Sequence, residues 1–80
     1  MTGAYQPSRI AERVTPDHKR AVWAAIAPPA RLDLSGIAAA TGLDGAIINE
    51  IWAEGSAAGR LRLVDQGPGF RWIERVEDAS

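Results

Sequence analysis

Apolar residues recur along this chain with two different periods, and the change from one to the other falls at Gly59. Between Thr15 and Gly59 hydrophobic side chains lie three and four residues apart, the spacing that lines one side of an α-helix, whereas from Arg60 they alternate with polar ones, as in a strand. Thr15-Pro16 predicts a helix start: the threonine hydroxyl accepts an orphan N–H, and proline in the first turn has no N–H to lose. Asp17 suits the positive end of that helix, Val22, Trp23 and Ile26 share a side, and Pro28-Pro29 blocks continuation beyond Ala27. Asp33 caps a second, short helix from Leu34 to Thr41, with Leu34, Ile37 and Ala38 at helical spacing and Gly42 suited to a left-handed end. Asp44 caps a third and longest helix, in which Ile48, Ile51, Trp52, Gly55 and Ala58 recur until Gly59.

After Gly59 the pattern Arg60-Leu61-Arg62-Leu63-Val64, the turn cluster Asp65-Gln66-Gly67-Pro68-Gly69, and then Phe70-Arg71-Trp72-Ile73 predict a β-hairpin. Alternation places Leu61, Leu63, Phe70 and Trp72 toward the core and leaves Arg60, Arg62, Arg71 and Arg75 together on the solvent side. Ile10 and Val14 have the spacing of one further helical turn docked on the core. Residues 1–14 therefore read as an N-terminal arm, 15–75 as the domain and 76–80 as a frayed tail.

Eighty residues suit one domain, and although 46% are apolar, fifteen of these are alanine, so the core is small. With no cysteine there is neither a disulfide framework nor a thiolate metal site. No apolar run approaches a membrane span and no leader-like segment opens the chain, which implies a soluble, cytoplasmic protein without membrane contact. The net charge of −1 conceals a division: residues 1–32 carry +3, residues 33–59 carry −4 with no basic group at all, and residues 60–80 balance.

The order helix, helix, tight turn, longer helix, hairpin resembles the winged helix-turn-helix family, and Leu34-Ser35-Gly36-Ile37-Ala38-Ala39-Ala40-Thr41-Gly42-Leu43 is similar to its second helix and turn. The likeness spans residues 15–75 and implies a mostly α fold with a small β-hairpin, in the order helix-helix-helix-strand-strand. It further implies a third helix that enters the major groove of double-stranded DNA and a wing that contacts phosphates or the minor groove. By position, Gly45, Ala46, Asn49, Glu50 and Ala53 would face that groove, with Ile47 at its border. The sequence departs from the family here, since the segment has no Lys or Arg and carries Asp44, Glu50 and Glu54, and only Asn49 offers a bidentate adenine contact.

Two functions are expected. In the first, a non-enzymatic transcriptional regulator binds DNA mainly through the arginine face of the wing, Arg60, Arg62, Arg71 and Arg75, with Asn49 as a minor base contact and a homodimer adding specificity. The alternative is a protein-protein interaction module, a small regulator or phage-type inhibitor, that uses Ile47, Glu50 and Glu54 on the acidic and apolar face of the third helix. Its arginines would then keep the outer sheet face solvated and pair with Asp65, Glu74 or Glu77. An enzyme is disfavoured, with no nucleophile–base set, no metal-ligand spacing and no cofactor motif. His18 reads as a surface residue, Gly67-Pro68-Gly69 as a hairpin turn, and Trp23, Trp52 and Trp72 as one aromatic centre of the core.

Overall fold

The computed structural model describes residues 9–76. A 3-10 helix (Arg9–Arg13) precedes α1 (Pro16–Ala25), α2 (Leu34–Thr41) and α3 (Gly45–Ala57), and the chain finishes in an antiparallel hairpin of β1 (Leu61–Asp65) and β2 (Arg71–Arg75). This is the mostly helical, helix-helix-helix-strand-strand architecture expected from the periodicity. The arm before Arg9 and the acidic pair Glu77-Asp78 lie outside the described residues.

Each helix begins at its cap. Thr15 Oγ1 accepts from the His18 N–H and His18 Nδ1 accepts from the Thr15 N–H, both at 3.1 Å, so the histidine completes a reciprocal capping box. Asp33 accepts from the Gly36 N–H and Asp44 from the Ala46 N–H, each at 2.8 Å. α2 stops at Gly42, whose φ of 73° is one that side-chain-bearing residues rarely adopt. α1 ends two residues short of the expected Ala27, with Ile26 as its C-cap and its side chain in the core.

Val22, Ile26, Ile37, Ile47, Ile48, Ile51, Leu61 and Ile73 form one buried cluster, with Ile10 and Val14 of the N-terminal segment packed against it. The expected aromatic centre is absent. Trp23 and Trp52 sit half-buried at the rim of an isoleucine-rich core, and Trp72 lies on the opposite side of the hairpin from Leu61. β1 approaches α3 most closely at Gly55, where a Cβ would stand 2.5 Å from Leu61 Cδ1 and 2.8 Å from its Cγ.

The hairpin pairs Leu61 with Arg75, Arg62 with Glu74, Leu63 with Ile73, Val64 with Trp72 and Asp65 with Arg71. Residues directly opposite share a face, so Leu61, Leu63, Ile73, Arg71 and Arg75 lie on the α3 side and Arg62, Val64, Trp72 and Glu74 on the other. The single arginine face expected from alternation is therefore corrected: Arg60 and Arg62 point one way, Arg71 and Arg75 the other. β2 contains two adjacent large apolar residues and buries both, Ile73 at 2% exposure in the main cluster and Trp72 at 8% on the opposite face; the Ile73 N–H donates to the Leu32 carbonyl at 2.7 Å, a bridge that makes Leu32 a third strand position. A one-residue change of phase moves every side chain of a strand to the other face. Leu63 and Phe70, expected inward, are exposed at 50% and 64%.

Candidate functional site

The arginines of the wing divide by partner as well as by face. Arg62 donates to Glu74 Oε1 through Nε at 2.8 Å and again through Nη2, while the Trp72 indole N–H donates to Glu74 Oε2 at 3.2 Å. Those bonds, from Arg62 first and Trp72 second, hold the Glu74 carboxyl below its ordinary value. Arg31 lies over the Trp72 ring, 4.8 Å from its centroid, so Arg31, Trp72, Glu74 and Arg62 form one polar and aromatic cluster on the outer face. Arg71 Nε lies 3.4 Å from Asp65 Oδ2. Arg75 is half-buried and its Nε lacks a hydrogen-bond partner, whereas Arg60 is exposed and no carboxylate pairs with it among the described residues. Pairing with Asp65 and Glu74 is what the solvated-face reading expects.

The alternative contact set on α3 does not form one surface. Ile47 is 5% exposed and belongs to the core, which removes it as a docking residue. Glu54 points toward α1 and meets Lys19 Nζ at 3.0 Å, and Glu50 is half-buried. Asn49 is exposed on the open side of α3 beside Gly45 and Ala46, as the family resemblance implies.

A different surface emerges where α2, α3 and the wing converge. Leu34 and Ser35 from α2, Trp52 from α3, and Leu63, Arg71 and Ile73 from the hairpin line a groove of about 270 Å³, with Asp33 at its end. Leu34 and Ser35 also border a second groove of about 420 Å³, running between α2 and α3 past Ala38, Gly45, Ala46, Ile48 and Asn49. The two depressions share an edge, so one shallow surface extends from the start of α3 to the wing. Its lining is mostly apolar or small, with Asp33 and Asn49 as polar exceptions and Arg71 as the one cationic residue among those that line it.

Leu34 and Trp52 pack against the core and also border this surface, and Leu63, on the same face as Leu61, is half exposed there, a double role that periodicity alone does not reveal. Among the described residues no three His, Cys, Asp or Glu side chains gather to hold a metal ion, and no helix is long and apolar enough to cross a membrane. Comparison with known proteins gave no match among protein-family models, curated proteins or solved structures.

Proposed function

We propose that this chain is a non-enzymatic module of the winged helix-turn-helix family that binds a protein partner through the groove between α2, α3 and the wing. The observation that carries the reading is the chemistry of that surface: Leu34, Trp52, Leu63 and Ile73 give the groove an apolar lining, with Asp33 and Arg71 beside them and no other cation. Apolar grooves edged by a few polar groups suit peptide side chains, whereas carboxylates beside a duplex are repelled. The DNA reading relied on four arginines acting together, and these lie on two faces, two of them tied to carboxylates.

The test has two arms. Anisotropy of a labelled random duplex should show no saturable binding at moderate salt; binding with a log–log salt slope near −3.6, the value for about four phosphate contacts, overturns the proposal. Selection of displayed random peptides against the folded chain should yield binders, and Ser35→Trp, which fills the groove from an exposed helix position, should weaken them roughly tenfold or more. Selected peptides that bind the Ser35→Trp variant as well as the parent chain place the contact elsewhere and refute the groove.

A further inference from the structure

We infer that the partner segment binds as an added β-strand along the open edge of β1, and that it alternates acidic with apolar side chains; this rests on the protein-binding reading above and names the occupant of the same groove. The direction of the hairpin's hydrogen bonds carries the first half. Val76 N–H donates to the Arg60 carbonyl and Gln66 N–H to the Phe70 carbonyl, both at 2.8 Å, so the Arg60 carbonyl, both backbone groups of Arg62 and Val64, and the Gln66 N–H turn toward β2, while the Arg60 N–H donates to the Gly55 carbonyl at the end of α3. Leu63 and Asp65, one residue out of phase, turn theirs away from it. β2 is flanked on its other side by Leu32, which leaves β1 as the edge strand, and among the described residues nothing pairs with its outer side. Such an edge is a template for another chain unless it is blunted, and here its central residue, Leu63, is an exposed apolar side chain that lines the groove.

The side chains flanking that edge carry the second half. On the groove face an added strand would lie beside Leu63, which is half exposed and calls for apolar side chains there. On the opposite face it would lie beside Arg60 and Arg62. Arg60 has no carboxylate partner among the described residues, and Arg62, bound to Glu74 on its inner flank, keeps a 63% exposed side chain. Acidic residues at the intervening positions would complete both. A second copy of this chain does not supply them: β1 paired with itself about Leu63 would bring Val64 opposite Arg62, with Asp65 on the other face.

The experiment sequences the peptides selected from a random display library, then measures the tightest labelled peptide by anisotropy against a set of variants. The expected consensus alternates Asp or Glu with Val, Ile or Leu. Leu63→Pro removes an N–H that the hairpin does not use, so it should leave the melting temperature nearly unchanged while weakening the peptide roughly tenfold. Arg60→Glu should weaken it comparably, and a saturating peptide should slow amide exchange at Leu63 and Asp65, a reading on the parent chain that stands even where the proline variant fails to fold. Helix-spaced or basic consensus sequences, or unchanged amide exchange, overturn strand addition. Binding abolished by Ser35→Trp but untouched by Leu63→Pro leaves the groove intact and sinks only this inference, whereas peptides indifferent to both variants remove the protein-binding reading as well. Concentration-dependent self-association lost in Leu63→Pro would assign the edge to a second copy and refute the acidic partner.

Discussion

Gly55→Ala tests how the wing is held to the helical body. Alanine in place of glycine within an exposed helix gains about 1 kcal/mol of helix propensity, so propensity alone predicts a more stable protein. The structure predicts the opposite, because the new methyl would stand 2.5 Å from Leu61 Cδ1 and 2.8 Å from Cγ, well inside contact distance. Leu61 is 3% exposed and has no free direction in which to move. Overpacking of this kind costs about 1–3 kcal/mol, which leaves a net loss of about 1 kcal/mol after the propensity gain. In a domain of this size that lowers the melting temperature by roughly 4–8 °C, readable by circular dichroism with a urea titration alongside. Leu61→Ala alone should cost about 2–5 kcal/mol by opening a cavity, and the Gly55→Ala methyl should partly fill it. The double variant is then more stable than the sum of the singles by about 1 kcal/mol. Strict additivity, or a Gly55→Ala protein stabilised by its full helix propensity, would refute the close approach of β1 to α3.

Other expectations follow from individual residues. Ile47→Asp puts a carboxylate into the core and should cost roughly 3–5 kcal/mol in a denaturant titration, enough to unfold a marginal domain; a folded variant would return Ile47 to the surface. Asp33→Ala removes the side-chain acceptor for the Gly36 N–H and should lower stability by about 1 kcal/mol, with Asp33→Asn retaining most of it. Glu74 is held below its ordinary value of 4.5 in the folded state, so its contribution is complete above that pH and is lost as pH falls through the lower folded value. Acid titration of Glu74→Gln should therefore show a shallower loss of stability below pH 4.5 than the parent chain, and parallel curves would contradict the Arg62–Glu74–Trp72 cluster.

The helical half of the fold was legible because its signals are local. Thr15-Pro16, Asp33, Asp44 and Gly42 each act on backbone groups a few residues away, and each ends or begins a helix where the sequence places it. The wing was legible as a hairpin but not in its phase. Trp72 and Ile73 are adjacent, large and both buried, and which of them joins the main cluster is tied to Leu32, some forty residues distant, through one backbone bond to Ile73. The candidate site failed with that choice, since the arginine face depended on it. Ile47 was misplaced for a similar reason: the N-terminal 3-10 helix packs against α3, which widens the face of α3 that is buried. His18 was read as a bystander because its acceptor role in the cap depends on a rotamer that spacing does not encode.

The Gly67-Pro68-Gly69 turn at the tip of the wing has a consequence for how this chain tolerates change. Its neighbours Gln66 and Phe70 are exposed and hydrogen-bonded to each other, so the loop is closed at its root without help from the body of the protein. Foreign sequence grafted between Gly67 and Gly69 should leave the rest of the molecule intact, because each doubling of a closed loop costs only about 0.6 kcal/mol of chain entropy. The tip is therefore a natural attachment point for a reporter peptide or crosslinker, beyond the end of β1, from which the arrival of a bound strand can be monitored.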